Sequence, residues 1–575
     1  MIRLFRFVGP YTHLILVVLV LVFLQSLANL YLPTLMADII NNGIQKNDTA
    51  YIWHEGGWML LITLGGAICA IASAYLAARV AVGFGRRVRA RLFTHVEQFS
   101  LHEFDTIGTA SLITRATNDT NQVQQVLVIM LTMLVSAPMM AIGGIYLAIQ
   151  QDAALTWVLA AAIPVLVLVI VLVMFRAIPL FQVMQKKIDT INLVLDEGLT
   201  GVRVIRAFDR QAHEEQRFDT ANLDLTNTAS TVNRMIAILF PFMLLVLNVT
   251  TVAIFWFGSI RIDAGQTSLG ALFAFLQYAM LILFSFLMLS MLFIFLPRAA
   301  VSAKRINEVL DMKPEIKDPA QPQVATAGRG EVEFRDVTFS YPGAEEPALS
   351  HISFVAHPGQ VTAIIGGTGA GKSSLVTLLP RFYDVDSGAV LVDGVDVRAQ
   401  TQESLRVKLG YVPQRAVLFS GTIAENIRHG KPDATDEEVR AAAEIAQATE
   451  FIDEMPDGFD AYIAQGGTNV SGGQKQRLSI ARALVRRPEI YIFDDTFSAL
   501  DYATDANLRA ALRRETEDAT VLIVAQRVST IMDADQILVL DEGKLVGTGT
   551  HKYLMDHNAV YREIVLSQLT LEEVA

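Results

Sequence analysis

Two acids close an apolar run in the segment Ile490-Tyr491-Ile492-Phe493-Asp494-Asp495. A carboxylate at the end of such a strand can hold a hard cation such as Mg²⁺ through oxygen, and Asp494 is placed for that work. Upstream lies Gly366-Gly367-Thr368-Gly369-Ala370-Gly371-Lys372-Ser373, followed by Ser374. Glycines at this density let successive backbone N–H groups close around phosphate oxygens. Lys372 then sets a positive charge against the β- and γ-phosphates, and the Ser373 hydroxyl offers a second oxygen to Mg²⁺. The loop follows the strand-like run Val361–Ile365 and opens a helical stretch, the context that makes this pattern specific. Asp495 falls where hydrolysis needs a longer carboxylate, so the residues predict firm nucleotide binding and slow cleavage.

A second glycine pair stands in Asn469-Val470-Ser471-Gly472-Gly473-Gln474-Lys475-Gln476-Arg477, ahead of the helical stretch Leu478 to Arg486. Ser471, Gly472, Gly473 and Gln474 at a helix start make another phosphate-binding nest. One nucleotide cannot easily fill two nests on one domain. Two domains facing each other, each nest closing on the other's nucleotide, is the economical solution; a plain helix cap is the simpler alternative.

The elements that position these residues sit in a chain of 575 residues, long enough for more than one domain. Hydrophobic residues make up 52% and charged residues only 18%, a balance that predicts a membrane protein. Most of the acid excess behind the net charge of −12 falls after about Asp311. That placement suits a solvated domain and argues against a nucleic-acid partner. The lone cysteine, Cys69, excludes an internal disulfide and reads as a small buried hydrophobe.

Apolar segments of spanning length occur near 14–36, 57–82, 126–149, 153–176, 235–258 and 269–296. The first resembles a signal peptide in its basic flank, but its length predicts a retained span. Arg3-Leu4-Phe5-Arg6-Phe7 suits a short amphipathic interfacial helix. Arg86, Arg87, Arg89, Arg91 and Arg115 follow span two, and Arg176, Lys186, Lys187, Arg203, Arg206, Arg210 and Arg217 follow span four. The alternate loops are poor in base, so both termini, both long loops and the nucleotide domain are expected in the cytoplasm. The long loops, near 83–125 and 177–234, keep helical periodicity and predict helices running on past the membrane, with tips at Ser111 to Asp119 and Gln211 to Glu214. Pro138 and Pro241 lie inside spans, as kinks or as ordinary membrane prolines.

After Leu310 the texture changes. A linker over 311–329 separates a membrane domain, 1–310, from a soluble domain, 330–575, in which short apolar strands alternate with helical stretches. The expected fold is an α-helical six-span transmembrane domain with long cytoplasmic helical extensions, followed by an α/β P-loop nucleotide-binding domain.

On these motifs the chain resembles an ATP-binding cassette exporter of the half-transporter type over essentially its whole length. The resemblance implies ATP and Mg²⁺ as cofactors, with Ser373, Gln414 and Asp494 toward the metal. It implies that Tyr341, in Phe339-Ser340-Tyr341-Pro342, stacks on adenine, and that Gln414, in Tyr411-Val412-Pro413-Gln414, senses the membrane domain. Ser471 to Gln474 would act in trans on a partner's ATP, Ser498-Ala499-Leu500-Asp501 would cross the dimer interface, and the stalk tips would be coupling helices, the second docking on the partner.

Three positions depart from the family pattern. The catalytic acid after Asp494 is normally Glu and is Asp495 here; the switch histidine is Gln526; the acid six positions before Ser471 is Gln465. Drawing the carboxylate back by one methylene misplaces it by about 1 Å, which can cost roughly 10²-fold in rate. Glutamine still donates a hydrogen bond but never becomes a cation. The expected protein is one subunit of a heterodimeric cell-membrane exporter of amphipathic or lipophilic compounds, with a slow site of its own and an intact Ser471–Gln474 run that completes the partner's. Its partners are a second half-transporter, membrane lipid and a transported small molecule. A homodimer with two slow sites, an importer on the same fold and a nucleotide-gated channel are the alternatives.

Overall fold

The structure is a computed structural model that describes residues 2–323 and 329–569. The chain forms two compact units: Met1–Glu97 with Thr109–Met312, and Gln98–Gly108 with Lys313–Ala575. Part of the 311–329 linker, residues 324–328, lies outside the described residues.

The first unit is helical. Among the described residues, six helices are long and apolar enough to cross a membrane: Arg3–Ile44, Thr49–Val96, Thr109–Gln151, Thr156–Thr200, Gln211–Asp263 and Leu269–Leu289. Most far exceed the ~20 residues a bilayer needs, so the helical periodicity of the long loops belongs to helices that run on past a spanning length, with one break in each loop. Pro138 and Pro241 sit inside unbroken helices. The helix Thr12–Asp38 packs along Thr49–Val96, Thr120–Gln151 along Leu269–Asp311, and Thr156–Thr200 along Gln211–Asp263. Leu30, Ala148, Leu155, Ile254, Phe275 and Ile282 share one buried cluster.

Polar contacts fix the register of this packing. The Tyr278 hydroxyl donates to the Leu30 carbonyl at 3.0 Å, and the Asn41 side chain accepts from the Gly270 N–H at 2.9 Å while donating to Ser268 Oγ. Arg261 Nε donates to Asp152 Oδ2 at 3.0 Å. Leu60, Leu64, Ile68 and Ile71 face outward, as a lipid-facing surface requires. Cys69 is half-buried.

The helix breaks differ from the tips expected at Ser111 to Asp119 and Gln211 to Glu214. The first lies earlier, at a short helix Leu101–Ile107 opened by a Ser100–Glu103 capping box and closed by Gly108 at φ +78°. Ser111 to Asp119 is helical, with a wider π turn over Arg115–Asp119. The second break spans Gly201 to Arg210 around the helix Val202–Ala207, and Gln211 already begins the next long helix. The first break is set by the Ser100–Glu103 capping box and Gly108, and the second opens at Gly201, where the Thr156–Thr200 helix ends.

The second unit contains Leu101–Ile107 and the α/β domain. Glu103 is buried, and its carboxylate accepts from the Glu315 N–H at 2.8 Å. Burial pushes its pKa up, but the bonds from the Ser100 hydroxyl and the Glu315 and Ser100 N–H groups prevail and hold it below the usual value.

Strands β1 (Val332–Phe339), β2 (Leu349–Ala356), β3 (Val361–Gly366), β4 (Ser387–Val392), β5 (Val395–Asp396) and β6 (Leu409–Val412) come first. The short pair β7 (Gly421–Thr422) and β8 (Tyr462–Ile463) precedes β9 (Ile490–Asp494), β10 (Thr520–Val524), β11 (Gln536–Asp541) and β12 (Lys544–Gly549). One sheet orders β2-β1-β4-β5, and the larger orders β12-β11-β3-β10-β9-β6. In the larger sheet β11, β3, β10, β9 and β6 run parallel, and only β12 is antiparallel. Every residue of β9 and β10 is buried, as strands covered on both faces must be.

Candidate nucleotide site

Parallel register decides where the motif residues meet. Val524 pairs with Ile364 on one side and with Asp494 on the other. The loops after β3, β10, β9 and β6 therefore leave adjacent strands at the same edge. They carry the phosphate loop, Gln526, Asp495 and Gln414, in the crevice where open α/β sheets bind ligands.

The phosphate loop is a close-packed turn. A Cβ on Gly366 would stand 2.1 Å from the Leu540 carbonyl oxygen, and Gly371 adopts φ +92°. Gly367, Thr368 and Gly369 are exposed at its crest, Ala370 is buried beneath, and Lys372 opens the helix Lys372–Leu378. Lys372 Nζ donates to the carbonyls of Gly366 at 2.8 Å and Gly367 at 2.7 Å, holding its charge inside the curl. Burial lowers its pKa, against the pull of the Asp495 and Asp494 carboxylates.

Ser373 Oγ donates to Asp494 Oδ1 at 2.9 Å. Asp494 is buried, and desolvation lifts its carboxyl above the ordinary value; the Ser373 bond and Lys372 oppose that rise, and the Asp495 charge adds to it. Hard oxygens converging from a loop helix and a strand end fit Mg²⁺, which takes few protein ligands and completes its shell with phosphate and water. Among the described residues no cluster of three or more His, Cys, Asp or Glu offers an all-protein metal cage.

Asp495 is buried and left-handed at φ 47°, an uncommon conformation for a non-glycine residue. Its N–H donates to the Val524 carbonyl at 3.0 Å, and its own carbonyl accepts from Ser498 Oγ at 2.9 Å. Its Oδ2 accepts from Gln526 Nε2 at 2.6 Å and Gln414 Nε2 at 3.0 Å. Asp495 and Gln526 are thus in direct contact, bridged to Gln414 through one carboxylate oxygen.

Tyr341 packs edge-on against Phe339 and Tyr383, and its hydroxyl shares a hydrogen bond of 2.9 Å with Ser374 Oγ. Ser471 caps the exposed start of the helix Gly472–Leu484 through a capping box with Gln474, so their polar groups are satisfied by each other within this chain. The structure thus gathers Lys372, Ser373, Asp494, Asp495, Gln414 and Gln526. Ser471–Gln474 makes its own local cap.

Three supporting residues had no sequence signal. Arg482 donates to the Val417 carbonyl at 2.9 Å and to Asn426, and Asn426 brackets Phe419, which fixes the loop after Gln414. Burial pushes the Arg482 guanidinium down to about 10. Gln568 brackets the Gln526 loop, accepting from the Val528 N–H at 2.9 Å and donating to the Gln526 carbonyl at 2.8 Å.

Comparison with known proteins agrees with this architecture. Residues 15–308 match the family described as ABC transporter transmembrane region, and residues 349–498 match the ABC transporter family. An uncharacterized ABC transporter ATP-binding protein of Mycobacterium tuberculosis is 46% identical over 565 residues, covering 98% of this chain and 97% of that protein. The ATP-dependent lipid A-core flippase of Vibrio vulnificus is 30% identical over 563 residues, covering 98% and 96%. A solved bacterial Atm1-family ABC exporter with ATP bound matches at a TM-score of 0.81 and 26% identity, over 97% of this chain and 98% of that one.

Proposed function

This chain belongs to the ABC transporter family as an exporter-type half-transporter, and from that premise we propose that it is the slow-site subunit of a heterodimeric, ATP-driven exporter. The carrying observation is the Asp495 carboxylate, whose Oδ2 is shared by the neutral amides of Gln414 and Gln526.

In this reading the backbone of Gly367 to Gly371 and the Lys372 ammonium bind the phosphates, and Tyr341 supports the adenine. Ser373 and Asp494 would hold Mg²⁺, with Gln414 beside them; the ion supplies charge neutralisation at the transferred phosphate. Asp495 accepts from two amides and sits one methylene short of the position that orients the attacking water. Gln526 donates a hydrogen bond but supplies no cation. ATP is therefore held and seldom cleaved here. Ser471, Gly472, Gly473 and Gln474 close instead on the ATP of the partner.

Two surfaces support a partner. The Ser471 end of its helix is exposed, and the Val202–Ala207 tip carries no buried residue, with Val204 61% and Phe208 73% exposed. The partner is proposed to differ from this chain because both altered positions lie at one catalytic centre. The basic loops support a cytoplasmic position for the termini and the nucleotide domain at the cell membrane. The apolar spans, with the lipid substrate named for the Vibrio relative, favour amphipathic or lipophilic cargo moved outward.

The test is ATP turnover by the assembled complex carrying Asp495→Glu and Gln526→His. A gain at this chain's site, with trapped nucleotide shifting away from it, is expected. Rapid, cargo-stimulated hydrolysis by the unaltered chain alone would overturn the heterodimer reading.

A further inference from the structure

The last described residues reach back to the catalytic edge of the sheet. Gln568 follows the helix Ala559–Leu566, whose Tyr561 and Val565 are fully buried in the main core of the domain, with Leu569 packed against the same core. From that anchored position one carboxamide spans the switch loop. Its oxygen accepts from the Val528 N–H at 2.9 Å and its nitrogen donates to the Gln526 carbonyl at 2.8 Å. The two bonds fall on either side of Arg527, whose guanidinium donates to the Ser498 carbonyl at 3.2 Å. Ser498 Oγ in turn donates to the Asp495 carbonyl, and Gln526 Nε2 reaches Asp495 Oδ2. The result is a closed ring of hydrogen bonds running from Gln568 through the switch loop to Asp495 and Ser498.

Gln526 and Arg527 are exposed between buried Ala525, which follows β10, and buried Val528, so the peptide at 526 is itself outside the packed core. A side chain that must reach the γ-phosphate from a loop is only as well placed as the peptide carrying it, and loss of about 1 Å in aim is costly. The Gln568 bracket ties the Gln526 carbonyl directly to the Val528 N–H from the core side. Asn at this position is too short to span both groups; Glu keeps the acceptor for Val528 but loses the donor to Gln526.

We infer that Gln568 is a positioning residue for the side chain at 526, coupling the C-terminal helix to the switch position of this nucleotide site. The inference rests on the site reading above. The test uses full-length chain with its partner in lipid nanodiscs and Mg-ATP as probe. Single-turnover hydrolysis at this site is compared for four versions: unaltered, Gln526→His, Gln568→Ala and both changes together. The gain from Gln526→His should shrink by roughly tenfold when Gln568 is removed, with Gln568→Glu intermediate and Mg-ATP affinity unmoved. The same gain in both backgrounds would overturn the inference.

Hydrogen exchange separates this result from failure of the site reading. Gln568→Ala should speed exchange of the amides from Gln526 to Thr530 and leave those of Gly367 to Ser373 unchanged. Faster exchange there, with no gain from Gln526→His in either background, supports Gln568 as the positioning residue and rejects the switch role of residue 526. Unchanged exchange rejects the positioning role.

Discussion

Gln526 Nε2 donates to Asp495 Oδ2 at 2.6 Å, so the loops that follow β10 and β9 are tied to each other at the edge of the sheet that carries the phosphate loop. Gln526 satisfies one lone pair of a buried carboxylate, and Gln414 satisfies another. The pair is therefore a self-consistent unit, and removing one member leaves the other poorly served. Gln526→Ala should destabilise the domain by about 1–2 kcal/mol, by removing a donor from a buried acid. Thermal unfolding of the purified chain measures this; an unchanged midpoint would show that water replaces the amide.

Removing the Lys372 charge tests the phosphate loop. The ammonium bonds two loop carbonyls and is proposed to meet the phosphates, and a charge-assisted hydrogen bond is worth about 1.5–3 kcal/mol. Lys372→Met should weaken ATP binding by roughly 10–150-fold, read by equilibrium binding with Mg-ATP.

Asp494 gives Mg²⁺ dependence a pH signature. Its carboxyl is lifted above the ordinary value chiefly by burial, and in the proposed role as a Mg²⁺ ligand it must be ionised. Apparent Mg-ATP affinity should fall as pH drops through that raised value, by about tenfold per unit below it. For the free domain the sign is opposite: the protonated acid favours the fold, and that contribution is lost as pH rises through the raised pKa. Titrations of binding and of melting temperature should therefore slope in opposite directions, and Asp494→Asn should flatten both.

Gly366 is demanded by contact. A Cβ there would meet the Leu540 carbonyl oxygen at 2.1 Å, backbone that cannot move without parting β3 from β11. Gly366→Ala should cost at least about 2 kcal/mol and lower the yield of folded chain, seen in thermal unfolding without nucleotide.

In the helical unit, Asp152 is buried and its Oδ1 accepts from the N–H groups of Ala154 and Leu155 while Oδ2 takes the Arg261 guanidinium. Arg261→Gln leaves that charge half-served, and a loss of about 1–3 kcal/mol is expected. Asp152→Asn combined with Arg261→Gln should recover part of it, which a double-mutant cycle in detergent would reveal.

The sequence by itself determined the local chemistry. Length and hydropathy set six spans, because a bilayer core demands about 20 apolar residues whatever their neighbours. Glycine spacing with Lys372 and Ser373 set the phosphate loop, because only such a backbone can curl around phosphate. The places where helices turn were not legible: the Ser100 capping box and the helix-ending glycines Gly108 and Gly201 are local contacts of residue types that occur at many other positions. Tertiary structure alone decided which distant residues meet. Parallel pairing of β3, β10, β9 and β6 brings residues 366, 526, 495 and 414 to one edge, and pairing across scores of residues leaves no periodic trace. The bracket by Gln568 and the support from Arg482 belong to that same class. Each is one polar side chain on an ordinary helix end or face, and only the folded neighbour gives it a role.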